Sequence, residues 1–452
     1  MPLTDSTGLP LTLDRPQAVQ DWDNTVAAFL RHDATTPDHL ASTLHQAPAF
    51  ALGWAVRGLM MLLLGRAELV AAAHESAAKA RAGAAAQGLS ARERPYLDAL
   101  DAWLAGRPRQ SAALLAGVLE TYPEDTLALK LDQAIRFTLG DRRGMARSAR
   151  IGLAAHGRDH VFQGYALGCM AFALEENGEY VEAETHGRLG LEIAQDDAWG
   201  LHAVAHVYDM TAQDSTGIDW LEQREHSWAH CNNFGYHVWW HLALFHLDRG
   251  AYDRVLDLYD TRVRREHTDD YRDVANAASM LTRLEIEGVD VGERWQELAG
   301  FAEGRVEDGA LIFADLHYLL ALGGAENTEA AEALMARIAR DAQRSDHDMH
   351  EVAAVAGHPA ALGLAAFRAG HYDLAYDRLR GVRGQLGRIG GSHAQRDVFS
   401  RLMIEAALRA GRCAEAEVEI RARAARRGAE DGFTHRRLEA LSRLRGASVA
   451  AQ

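Results

Sequence analysis

Little in this chain of 452 residues points outward to a membrane, a nucleic acid or an oxidising compartment. Three cysteines, Cys169, Cys231 and Cys413, are too few and too scattered for a disulfide framework, and fit a reducing cytoplasm. A formal charge of −16 lacks the basic face that nucleic acid or an anionic lipid surface requires. The longest apolar run, "AFALGWAVRGLMMLLLG", is broken by Arg57 and is short of the ~20 uninterrupted apolar residues of a membrane helix. The start, "MPLTDSTGLPLTLDRPQ", has no basic segment leading into an apolar core, so no secretory signal is expected. Phosphate loops of the GxxxxGK[ST] type, GxGxxG fingerprints and GxSxG elbows are also missing, so no nucleotide cofactor is expected.

Prolines number nine, and no stretch alternates as a strand would. Strong helix formers fill nearly every segment. Glycines punctuate them at Gly65, Gly106, Gly140, Gly178, Gly250, Gly288, Gly323, Gly370 and Gly411, mostly 34 to 41 residues apart. The gap from Gly178 to Gly250 is a doubled step with "TAQDSTG" midway. Each glycine is expected to end one helix in a left-handed turn before a return helix begins. A period of about 34 is that of tetratricopeptide hairpins. Alanines five residues after the glycine (Ala183, Ala375, Ala416) let paired helices touch, and Tyr180, Tyr252 and Tyr372 recur two residues after it. The expected fold is all-α: a right-handed α-solenoid of about ten degenerate hairpins. It runs as one continuous array over 21–445, after an extension (1–20) and before a frayed tail (446–452).

Within this ladder, "LHAVAHVYDM" and "YHVWWHLALF" each carry two histidines four apart: His202 and His206, then His237 and His241. Their offset of 35 residues is close to one repeat, so the four imidazoles are expected on one inner patch of successive first helices. Such pairs can chelate a divalent metal or serve as general acid and base. They can equally be satisfied core histidines. No HExxH glutamate is present, because Ala203 and Val238 hold that place. Asp209, about a turn beyond His206, is the expected orienting carboxylate, and Trp240 offers aromatic surface. His226 and His230, expected on a second helix, and Cys231, expected to be an inert thiol, are weaker candidates. "FADLHYLLALGG" adds Asp315 and His317, and "RSDHDMHEVAAVAGHP" adds His347, Asp348, His350 and His358. In "RIGGSHAQRDVF", Ser392 can cap the next helix, with His393, Arg396 and Asp397 near its start. Arg396 there is either an anion fork or, like Asp397, a structural ion-pair partner.

In the segments "WGLHAVAHVYDM", "GIDWLEQREHSW", "YHVWWHLALFHLDRGAYDRVLDLYD" and "GGSHAQRDVF" the chain resembles the tetratricopeptide repeat protein 38 family. The resemblance runs through most of the chain from about residue 20. It implies a cytoplasmic helical repeat protein, brings no defined activity, and centres on His202, His206, His237, His241, His393, Arg396 and Asp397.

Two functions follow as expectations. One is an inner pocket that binds a small molecule and transforms it by acid–base or metal-assisted chemistry of a hydrolase or lyase kind. The other is a scaffold that takes a peptide or helix in its concave groove. Self-association is left open by the sequence.

Overall fold

The architecture follows from where each helix is forced to stop. In a computed structural model, which describes residues 3–450, the glycines at 65, 106, 140, 178, 250, 288, 370 and 411 all adopt positive φ, between 62° and 83°. Each turn hands the chain to a return helix, as at Tyr180–Ile193, Tyr252–Leu258 and Tyr372–Val382. Ala183, Ala375 and Ala416 are fully buried where neighbouring helices meet. Consecutive helices pack on each other along the chain, and the only strands among the described residues are Leu3–Thr4 and Pro10–Leu11. The chain is thus all-helical, as expected of an α-solenoid.

Two turns differ from expectation. Gly323 lies inside the helix Ile312–Gly324, and the left-handed turn comes later, at Glu326 (φ 58°). In the doubled step, Ala212 (φ 52°) makes the missing turn between Ala198–Met210 and Asp214–Glu222. The repeat survives there without glycine, at the cost of strain on a side-chain-bearing residue.

The chain divides into two compact units. The first comprises residues up to 204, with 224–235 and 346–348; the second comprises 205–223, 236–345 and 349–452. In the first, the two-stranded hairpin is anchored by Arg92, which bridges Asp5 (2.9 Å) and Asp125 (2.7 Å) beneath the helix Arg94–Leu104. Residues 224–233 are not a second helix but a loop with one short 3-10 turn, Glu225–Ser227. The loop lies along the 32–34 turn, where the Asn232 N–H donates to the His32 carbonyl (2.8 Å) and Phe234 stacks on His32. Cys231, within it, has its thiol pushed up to about 12, by burial first.

In the second unit the inner helices close on one another. Tyr271–Ile286 packs against both Ile312–Gly324 and His393–Arg409, and His358–Arg368 touches the latter two. Its C-terminal helices are tied in by a buried ion network. Arg401 pairs with Asp248 (3.1 Å) and Asp397 (2.8 Å), and Arg423 pairs with Asp397 (2.7 Å) and Asp431 (2.8 Å). The final helix is Gly432–Ala450; the last two residues of the expected tail lie outside the described residues. No helix among the described residues is long and apolar enough to cross a membrane.

Candidate functional site

His202 and His206 lie on Ala198–Met210, and His237 and His241 on Phe234–Asp248. Both are first helices, as the repeat offset required. The ligand atoms of His206, His237 and His241, all in the second unit, fall within 4.8 Å of one another, so this group can hold a metal ion. His202, His206 and His241 are buried and His237 is half-buried. Around His202 the neighbours are aromatic: Phe172, Trp199 and Phe234, with ring centres 5.2–5.6 Å away. His206 sits 4.3 Å from His241, centre to centre, and His237 stacks on Trp240 at 5.4 Å.

A chain of hydrogen bonds fixes which nitrogen carries the proton. Ser392 and Gln395 form a reciprocal capping box at the start of His393–Arg409. The Ser392 backbone N–H can only donate, so the Gln395 atom 3.0 Å away is its oxygen. The Gln395 amide nitrogen therefore donates to Asn276 Oδ1 (3.0 Å), which turns Asn276 Nδ2 towards His237 Nδ1 (2.9 Å). His237 Nδ1 must accept, so in the neutral ring the proton is on Nε2, which donates to His241 Nε2 at 3.2 Å. His241 then carries its own proton on Nδ1. A helix cap thereby sets the tautomers of two imidazoles on a different helix.

Burial holds these rings neutral. It pushes His237 down to about 3, with His206 adding to the shift, and sets His241 well below the usual histidine range. His317, buried and donating from Nδ1 to the Phe313 carbonyl (2.7 Å), is lowered to about 4 by the same desolvation.

Other expected site residues have structural duties. Asp209 does not orient an imidazole. Its carboxylate is engaged by Arg427 at 3.1 Å, from 218 residues further along the chain. Asp397 is the ion-pair partner of Arg401 and Arg423, which hold its carboxyl well below the usual range against the effect of burial. Arg396 donates to the carbonyls of Gly390 and Gly391, and lies 3.4 Å from His393. Gly391 has to be glycine: φ is 74°, and a Cβ would come within 2.4 Å of the Phe313 ring. Asp315 is bound by Arg337.

Three residues on the inner wall carry no motif of their own. Asn276 and Gln395 are the relay just described. Arg283, 1% exposed, spans from Ser279 O (3.1 Å) to Ala394 O (2.6 Å), with its guanidinium 5.5 Å from the centre of the Trp240 ring. The signal for all three was periodicity on Tyr271–Ile286 and the Ser-x-x-Gln box, both of which read as ordinary helix chemistry. No protein-family model matches the chain.

Proposed function

We propose that the protein is a cytoplasmic relative of the tetratricopeptide repeat protein 38 family, a right-handed array of about ten hairpins whose interior binds and transforms a small molecule. The His237–His241 pair moves a proton to or from the ligand. The observation that carries this reading is the oriented chain Ser392–Gln395–Asn276–His237–His241. A core that merely satisfies its histidines needs one partner per ring, whereas this chain dictates the direction of every bond. The closing of the second unit's inner helices on each other favours an enclosed ligand over a peptide lying in an open groove. Burial keeps His237 and His241 neutral and weakly basic. A polar or anionic ligand group among them raises their pKa, so binding is accompanied by proton uptake.

A metal centre is the second reading, and the convergence of the His206, His237 and His241 ligand atoms within 4.8 Å favours it. The relay opposes it at one point. A metal on His237 Nε2 needs that proton moved to Nδ1, where Asn276 presents a donor rather than an acceptor.

Calorimetry of a panel of small polar metabolites, each in two buffers of different ionisation enthalpy, tests the first reading. Uptake of about one proton is expected, lost in His241→Ala. Binding with no proton exchange contradicts the acid–base role. Elemental analysis of protein purified without chelator tests the second reading: one metal per chain would install it, and under a tenth of that would remove it.

A further inference from the structure

Of the chain's 48 lysines and arginines only two are lysines, Lys79 and Lys130. Arginine serves almost wherever a cation is wanted, including buried sites where it meets carboxylates, as at Arg92 and Arg423. Arginine keeps its proton in a protein, whereas a desolvated lysine gives it up. Each lysine has its amine 4.4 Å from the centre of an indole, Trp54 for Lys79 and Trp199 for Lys130. There the likeness stops. Lys79 is half exposed and pairs with Glu75 at 2.8 Å. Lys130 is 5% exposed, and its Nζ makes no ion pair or hydrogen bond among the described residues.

The surroundings of Lys130 all belong to the first unit. Lys130 and Gln133 are a turn apart on Thr126–Thr138 and share a face. Gln133 Oε1 accepts from the Trp199 indole N–H (3.2 Å), and the Gln133 amide donates to the Cys169 carbonyl (2.8 Å). The indole is thereby pinned with its face over the amine. Phe172 and His32 pack on the same ring, with centres 4.4 Å and 5.5 Å away. The titratable groups that act on Nζ are Cys169, Asp197 and Cys231. Burial pushes the two thiols up to about 11 and about 12, so both are neutral. Asp197, 1% exposed, is pushed up to about 7 by burial, so no group is fully ionised against the ammonium at pH 7. Burial lowers the Lys130 pKa, against the weaker opposing pull of Cys169, Asp197 and Cys231.

We propose that Lys130 is a nucleophile that takes a small, uncharged aldehyde in an imine linkage. Nζ adds to the carbonyl carbon, a C–N bond forms, and both amine hydrogens leave with the carbonyl oxygen as water. No oxidant or reductant is consumed. Solvent protonates the imine, and the Trp199 face that holds the ammonium then holds the iminium. The aromatic wall favours an aldehyde with an apolar body, and the low exposure of Lys130 favours a small one. The inference goes beyond the proton-moving pair and does not rest on the histidines of the second unit.

Reductive trapping on the full wild-type chain tests it. Benzaldehyde is offered with sodium cyanoborohydride, and peptide mapping by mass spectrometry reads the benzyl group on each lysine. Lys79 is the internal control, with the same indole contact but with solvent and an acid beside it. At pH 7, Lys130 is expected to be labelled about tenfold or more faster than Lys79, since each unit of lowered pKa gives about tenfold more free amine. At about pH 9 the ratio should narrow, because Lys79 then begins to lose its proton as well. No adduct at Lys130, labelling no faster than at Lys79, or a ratio that does not fall with rising pH would each overturn the proposal. Because both lysines are read in one folded wild-type sample, no variant that fails to fold can blur the result.

Discussion

Asn276 shows how much of the site depends on one side chain facing the right way. It accepts from Gln395 and donates to His237, so Asn276→Leu strands a donor on one side and an acceptor on the other. A loss of about 1–3 kcal/mol is expected for leaving such buried groups unsatisfied, measured by urea denaturation. Asn276→Asp has a different consequence. The carboxylate accepts from both neighbours, moves the His237 proton to Nδ1 and frees Nε2, the arrangement of a carboxylate-oriented metal ligand. This variant is expected to bind Zn²⁺ at least tenfold more tightly than the wild-type chain in a competition titration. Equal affinities would mean that the relay does not govern the histidines.

The buried imidazoles also give a pH dependence whose sign is set by their depressed pKa. Above about pH 6.5 they are neutral both folded and unfolded and contribute nothing. As pH falls below that value the unfolded chain takes up protons that the folded site refuses, and stability is lost down to about pH 4, where His317 begins to titrate. Each such histidine steepens the decline by about 1.4 kcal/mol per pH unit. Denaturation midpoints between pH 7 and 4.5 should show a shallower slope in His317→Leu; an unchanged slope would place that ring in solvent.

At the scale of the element, the hairpin ladder was legible because its punctuation is local. A left-handed turn favours glycine, and the glycines stand at the repeat interval. Glu326 and Ala212 escaped because a side chain in a left-handed turn is tolerated when the helices on either side are well packed. Exposed Glu326 therefore retains strain that glycine would relieve, and Glu326→Gly is expected to stabilise the fold by about 1 kcal/mol in equilibrium unfolding. The opposite change at an ordered turn, Gly411→Ala, is expected to destabilise by a similar amount.

For the whole molecule, the histidine patch was legible because repetition carries long-range information: an offset of one repeat puts residues side by side. What repetition does not encode was lost. Asp209 read as the partner of a histidine one turn away, yet its partner is Arg427 in the last third of the chain. Asn276, Arg283 and Gln395 looked like ordinary helix residues, because only the closing of the second unit's inner helices brings them onto one wall. The buried Arg401–Asp397–Arg423–Asp431 network ties His393–Arg409 to the C-terminal helices that follow it, so Arg423→Met leaves two buried carboxylates short of a cation. It is expected to cost about 3–5 kcal/mol in chemical denaturation.

The central claim is that a helix cap orients two buried neutral imidazoles for proton movement. Nitrogen-15 NMR of the histidine rings at pH 6 tests it most directly. The account predicts neutral rings, His237 protonated at Nε2 and His241 at Nδ1. A His237 ring protonated at Nδ1, or either ring titrating near pH 6.5, would contradict it.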